Sequence, residues 1–429
     1  MSHRIEAEII PYSFKELELS DAQRRRKTEI LSSPVIPFKP QLGMTALEFF
    51  QKNSLTGNRM AHLPSEVDRF LDKHGKLPVL EFFHKEEKEG SLFKDFYQAA
   101  KLWDQMLSEK RTVYCAAAGA FIPFGGREAF RSLIENDQID VLVVTGAQLT
   151  HDFVETLGGK HYLMLSGRIS DVELASLNIN RFYQVLGDGE DYKKIDHILL
   201  DLIPQLPPRR LMTSREYLWR LGHALIPYAK EEGILTTAAR KNLPIYLPAM
   251  GDAAVGTDVL EVWHKVGRRI SLDIVLSDEL EKMEIAAAVE DFGARTSLVI
   301  FGGGVVRNNA QQAQASTYAI GRKTKGHLEG IRFWTGDLTD GGLSSSTISE
   351  GITWGKFDPE VSKVEVFADS NFAINVMAQL LLDLRNGKKR EWKPKFLFRA
   401  DGSLTVGFPN REKRNLQAQF KRDIGKPVY

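Results

Sequence analysis

The chain has 429 residues, 43% of them hydrophobic and 26% charged, enough to bury a large core with an ordinary globular composition. Its 57 basic and 56 acidic residues cancel to a formal charge of +1, which excludes the basic excess expected of a nucleic-acid-binding protein. The single cysteine, Cys115, excludes an intrachain disulfide framework and fits a reducing, cytoplasmic setting.

No apolar run approaches the roughly 18 residues of a membrane span, and the N-terminus MSHRIEAEIIPYS has no leader-like apolar region. Residues 1–44, rich in Pro and charge, read as an arm. Within it the RRRK run from Arg24 to Lys27 is expected to be a solvated helix face. From residue 45 the pattern is helical, through ALEFFQKN, SEVDRFLDKH and LFKDFYQAAKLWDQMLSEK. The period then changes. TVYCAAAGA (112–120) is a short apolar run in which Cys115 has a packing role. The loop FIPFGG and the helical REAFRSLIEND follow it. IDVLVVTGA (139–147) leads into helical HDFVETLG, and LPIYLPAMGD into DVLEVWHKVG. SLVIFGGGVV leads into NNAQQAQASTYAIG, and KVEVFADS into FAINVMAQLLLDLRNG. Residues 391–429 form a tail whose FLFRADGSLTVGF reads as a hairpin turning at Asp401-Gly402.

Short, fully apolar runs that stop at Gly or Asp and open a helix are the pattern of buried parallel strands with helices on both faces. The fold class is therefore α/β, a doubly wound, mostly parallel sheet spanning residues 45–390 behind a helical N-terminal extension. Ligands in such sheets bind beyond the carboxyl ends of the strands. The residues to weigh are Thr145-Gly146, Gly251-Asp252, Gly302-Gly303-Gly304, Thr335-Gly336 and Ala368-Asp369-Ser370.

VIFGGGVVR lacks the G-x-G-x-x-G spacing, so a phosphate cradle and a plain strand-to-helix turn stay open side by side. Asp369 suits a ribose or amide contact, and equally a helix cap. In SEGITWGKF (Ser349–Phe357), Lys356 follows a Trp-Gly pair, with Asp337, Asp340 and Glu350 in the same stretch. Carboxylates and the indole of Trp354 can grip a cationic amine; exposed loop acids are the plainer reading. No HExxH or Cys cluster calls for a metal, and no GxSxG elbow accompanies LSSSTIS. His151 is expected to be a partly exposed polar residue. Lys356 is the candidate nucleophile, because a neutral lysine amine attacks carbonyls and imines once desolvation or a nearby cation removes its proton.

Together GGREAFRSLIENDQIDVLVVTGA, LPIYLPAMGDAAVG, SLDIV, SLVIFGGGVVRNN, DGG…SEGITWGKF and KVEVFADS resemble the deoxyhypusine synthase family over roughly residues 110 to 380. The resemblance implies a Rossmann-like fold, NAD as cofactor and a homotetramer with active sites at subunit interfaces. It implies that Lys356 carries an aminobutyl group as an imine, and that Glu350 and Trp354 bind the amine. On the cofactor side it implies Thr145, Gly146, Asp252, Gly302, Gly303, Gly304, Thr335, Gly336, Asp340, Ala368 and Asp369.

The departures fall elsewhere. Asn308-Asn309 replace a histidine pair, and Leu343 and Thr257 replace acids, with Asp258 beside the latter. TGAQ with His151 replaces the cofactor element and its ribose-binding Glu, and Gly119-Ala120 replace a Ser-Asn pair. That pattern resembles the deoxyhypusine synthase-like subgroup, in which small amines are acceptors as in homospermidine synthases. Asn308 and Leu343 are then substrate-side positions. Modification of a translation-factor lysine and a catalytically silent paralogue stand as the other readings.

Overall fold

The computed structural model describes residues 19–54, 56, 66–85, 92–165, 169–206, 211–266, 271–272, 276–409 and 414–415. The start of the arm (1–18), residues 273–275 of SLDIV, and 410–413 and 416–429 of the tail lie outside the described residues. Six strands form one parallel sheet: β1 (Arg111–Ala117), β2 (Val141–Val144), β3 (Ile245–Tyr246), β4 (Arg295–Phe301), β5 (His327–Trp334) and β6 (Phe357–Phe367). Their spatial order is β3-β2-β1-β4-β5-β6. Strand order therefore reverses between β1 and β4, where a doubly wound sheet opens a ligand crevice. The helices that matter for that edge are α1 (Leu92–Ser108), α2 (Arg127–Glu135), α3 (Gly146–Thr156), α4 (Ala254–Val266), α5 (Gly304–Ala315), α6 (Ile348–Thr353) and α7 (Ser370–Arg385).

The continuous apolar runs become strands covered on both faces. Val113, Cys115 and Ala117 of β1 join a core with Phe96 and Trp103 of α1 and Ile374 of α7. The alternate residues Tyr114 and Ala116 join a second core with Val306 and Ala310 of α5. This period of two across a sheet covered on both sides is why the strand pattern reads as unbroken hydrophobicity. Cys115 is completely buried and burial pushes its thiol well up, consistent with a packing role. Register fixes the strand ends together. Ala117 pairs with both Val144 and Phe301, Phe301 with Phe333, and Trp334 with Phe367.

Two short elements depart from the sequence expectation. FIPFGG is a helical turn over Ile122–Gly126 rather than an open loop, broken at Gly125 with φ of +81°. The RRRK run is only partly solvated. Its helix, Asp21–Ile30, docks on the small antiparallel sheet of His161–Leu163, Ile179–Phe182 and Val185–Asp188. Lys27 donates to Asp188 at 2.7 Å and Arg26 to Glu173 at 3.0 Å, while Arg24 and Arg25 face solvent. At the other end Lys395–Phe398 pairs antiparallel with Leu404–Gly407, and Phe396, Leu404 and Val406 complete the second core.

A fully buried ion pair ties the sheet to the segment between β2 and β3. Arg127 Nε donates to Asp152 at 2.9 Å, and both side chains are inaccessible. Asp152 also accepts from the amides of Ile234 and Leu235 at 2.8 and 2.9 Å, capping the helix Ile234–Lys241. Arg127→Met would strand that carboxylate without its cation. The expected cost is about 3–5 kcal/mol, read as a lower urea midpoint with an unchanged slope. A midpoint within error of the parent protein would contradict it.

Candidate active site

The lysine of SEGITWGKF is placed by helix-end geometry. Thr347 caps α6, its hydroxyl accepting from the amide of Glu350 at 3.0 Å. At the other end the Lys356 amide donates to Gly351 O and the Gly355 amide to Ile352 O, both at 3.0 Å. That pair of bonds is the Schellman arrangement, and it needs a left-handed residue, which Gly355 supplies with φ of +68°. The glycine between Trp354 and Lys356 thus ends the helix and turns the chain into β6. The carbonyl of Lys356 then accepts from the His327 amide at 3.0 Å, at the start of β5.

The side chain of Lys356 is half-buried, and its Nζ donates to Asn308 Oδ1 at 2.8 Å. Asn308 lies in the first turns of α5, directly after the glycine run. Nζ stands 5.9 Å from the centroid of Trp354, at the outer limit of a cation–π contact. The aromatic wall is present but open, since Trp354 is 68% exposed. Burial first, and then the Arg307 guanidinium, hold Lys356 below the ordinary lysine value, while Glu350 pulls the other way. The neighbouring cation needed by a lysine nucleophile is therefore a side chain of this chain. The run VIFGGGVVR contains Arg307, but no sequence signal separates it from a solvent-facing arginine.

The glycine run closes the other side. Gly302 turns the chain after β4 with φ of +78°. A Cβ on Gly303 would come within 2.4 Å of Ser344 Oγ and 2.6 Å of Ser344 Cα, so only glycine lets the 343–346 segment lie against the turn. Gly336 packs on the same segment, where a Cβ would meet Ser345 Oγ at 2.7 Å. Asp340 is exposed and accepts from the Gly342 amide at 2.6 Å, and Thr335 and Leu343 are also exposed.

Along the sheet edge, Gly146 opens α3 against Ala253, so that Thr145-Gly146 and Asp252 share one corner. Thr145 is the N-cap of α3, yet its hydroxyl makes no cap bond. Asp369 caps α7, accepting from the Asn371 amide at 2.9 Å. Beside it, buried Ala368 follows β6, and Ser370 abuts Gly119 beyond β1. Gln148 of TGAQ donates to the Gly119 carbonyl and accepts from the Ile122 amide at 3.2 Å, fastening α3 to the end of β1.

His151 departs from its expected partial exposure. It is buried in a network with Tyr192 OH at 2.9 Å and His161 Nε2 at 3.0 Å, and His161 Nδ1 contacts Glu155 at 2.8 Å. Burial holds both imidazoles neutral. The helix is enclosed on all sides here, with every residue from Gln148 to Thr156 buried, so no position on it offers exposure. On α4, Thr257 is exposed while Asp258 turns inward, where burial and then Asp196 and Glu261 push it up to about 7. Among the described residues no His/Cys/Asp/Glu group suits a metal ion, and no helix is long and apolar enough to cross a membrane.

A sheet of this strand order, with a glycine turn at its carboxyl edge and a half-buried lysine reaching the helix which that turn opens, places the chain among doubly wound α/β proteins with a ligand crevice at the switch point. More narrowly, it belongs to the deoxyhypusine synthase family, whose model matches residues 87–380. A "Probable deoxyhypusine synthase 2" from Methanosarcina mazei is 33% identical over 295 residues, spanning 68% of this chain and 83% of that relative. A "Deoxyhypusine synthase-like protein" from Caulobacter vibrioides is 28% identical over 368 residues, spanning 83% of this chain and 92% of that relative.

Proposed function

We propose that the protein is an NAD-dependent transferase that moves an aminoalkyl group, aminobutyl in the first instance, through an imine on Lys356 to a small amine. The observation that carries this reading is the half-buried Lys356 amine, held by Asn308 beside the glycine turn. The same turn has the chemistry to take a dinucleotide. Gly303 lets the 343–346 segment close against the turn, and α5 begins immediately after it, aiming amide donors outward. Gly302, Gly303, Gly304, Thr335, Gly336 and Asp340 would hold NAD on one side, and Thr145, Gly146, Asp252, Ala368 and Asp369 on the other. When bound, NAD supplies the hydride acceptor that turns a donor amine into an electrophile.

The chain's own residues do the rest. Neutral Lys356 Nζ attacks the C=N carbon of the oxidised donor, and the nitrogen of that C=N departs as an amine, or as ammonia from a primary amine, leaving the lysine imine. Glu350 and the face of Trp354 hold the far ammonium. The acceptor amine then attacks the lysine imine, Lys356 leaves as the free amine, and the imine thus passed to the acceptor takes back the hydride removed from the donor, leaving a saturated product and no net oxidation. Active sites shared across a homotetramer belong to the same reading.

The acceptor is a small amine of the putrescine or agmatine class rather than a protein lysine, on the strength of Leu343 and Asn308. Leu343 offers no carboxylate, and Asn308 is committed to Lys356. A missing charge partner for a desolvated ammonium costs roughly a hundredfold in affinity. Incubation with NAD and a panel of amines, followed by mass analysis, should give a homospermidine-type product. Leu343→Asp with Asn308→His should shift preference toward spermidine. Efficient aminobutylation of a translation-factor precursor by the parent protein would refute this choice of acceptor.

A further inference from the structure

Beside the lysine lies a group whose arrangement the transfer reading does not explain. Arg307 of α5 is completely buried, yet its Nε and NH2 have no hydrogen-bond partner among the described residues. Only NH1 is engaged, donating to the carbonyls of Leu343 and Ser344 at 3.0 and 3.1 Å. A second inaccessible guanidinium, Arg332 of β5, donates to the carbonyls of Ser344, Ser345 and Ser346 and stacks 3.8 Å from the centroid of Trp334. Arg332 is offset by Glu365 of β6 at 3.2 Å. Among the described residues Arg307 has no such close carboxylate. Enclosing an underpaired cation is costly, so its place next to a reactive amine calls for a role.

We propose that Arg307 is the positioning residue of this site. Its guanidinium is the fixed cation that disfavours a proton on the adjacent Lys356 amine, and its carbonyl contacts lock the 343–346 segment that leads into α6. This rests on the reading of Lys356 as the reacting amine.

The charges facing that amine can be named element by element. From α5 come Arg307 and the neutral Asn308, and from α6 come Glu350 and the Trp354 ring. From β5 comes Arg332, which acts on Arg307 in turn. Burial, then Arg332, bring Arg307 down to about 10, against the pull of Glu365 and Glu350. Arg307 thus remains charged at neutral pH. Like charge beside a half-buried ammonium favours its neutral form, and the effect is lost when the cation is removed.

The test needs no turnover. Competitive acetylation of the full-length protein with acetic anhydride, followed across pH by mass analysis of the Lys356 peptide, gives the titration midpoint of that amine. In the parent chain it should lie below the ordinary lysine midpoint of about 10.4. Arg307→Gln should raise it by about one pH unit, Arg307→Lys should keep it low, and Glu350→Gln should lower it further. If Arg307→Gln does not fold, Arg307→Met, which removes the charge and keeps an unbranched apolar stem, makes the same comparison. A buried cation is poorly screened, so the low midpoint should persist in about 1 M salt. An unshifted midpoint in Arg307→Gln, or a parent midpoint that climbs to the ordinary value in salt, overturns the proposal. Loss of the trapped lysine adduct with these shifts intact overturns instead the reading of Lys356 as nucleophile.

Discussion

Replacing Lys356 with alanine is expected to reduce transfer by more than about 10³-fold while leaving the fold intact. The side chain is half-buried just beyond α6, and its bond to Asn308 is a single, partly buried hydrogen bond. Its loss should move stability by about 1 kcal/mol or less. The backbone features that shape the turn, namely the Schellman bonds to Gly351 and Ile352 and the left-handed Gly355, do not involve the lysine side chain. Lys356→Arg should be equally inactive. A guanidinium stays protonated at any pH the protein tolerates and cannot serve as the attacking amine. Borohydride added during turnover should attach an alkylamine mass to the Lys356 peptide of the parent chain and to neither variant. Turnover within tenfold of the parent in Lys356→Ala would remove the lysine from the mechanism.

The sheet was legible because its strands are enclosed on both faces. TVYCAAAGA, IDVLVVTGA and SLVIFGGGVV carry no polar alternation, and the structure shows the reason in two cores divided by alternate residues of β1. Glycine and aspartate at the strand exits pointed to the ligand edge, because parallel register brings those exits together. Lys356 stood out by its neighbours in the chain. What could not be read were contacts between residues far apart in sequence. Asn308 meets Lys356, and Arg307 meets the carbonyls of Leu343 and Ser344, only once α5 and α6 pack on the same face of the sheet. His151 was misplaced for a related reason. Its position near a strand end suggested exposure, but the partners that enclose it, His161 and Tyr192, come from the small antiparallel sheet and the helix after it. Helix VLEFFHK, Val79–Lys85, was passed over because a short apolar run does not distinguish a buried helix from a strand.

The glycine run offers the second large effect. Gly303→Ala is expected to weaken dinucleotide binding and transfer by about a hundredfold and to destabilise the fold by about 1–3 kcal/mol. The backbone at Gly303, with φ of −170°, is extended and open to any residue, so the penalty is steric. The added methyl would stand 2.4 Å from Ser344 Oγ and 2.6 Å from Ser344 Cα, and a backbone atom cannot swing aside. Nor can the segment retreat freely, because Arg307 holds the carbonyls of Leu343 and Ser344 and Arg332 those of residues 344–346. A displaced segment carries Leu343 and the start of α6 with it, disturbing the lysine from the far side of the crevice. Gly304→Ala is the contrast. Nothing lies within 4 Å of its Cβ, and only the left-handed φ of +69° opposes the change. That costs about 1–2 kcal/mol without moving the 343–346 segment. NAD titration by quenching of intrinsic fluorescence, alongside thermal melting, should therefore separate the two variants. Gly303→Ala should lose affinity out of proportion to stability, and Gly304→Ala the reverse. If Gly303→Ala instead bound NAD as the parent chain does, the glycine turn would be a packing device and the dinucleotide would have to lie elsewhere along the edge.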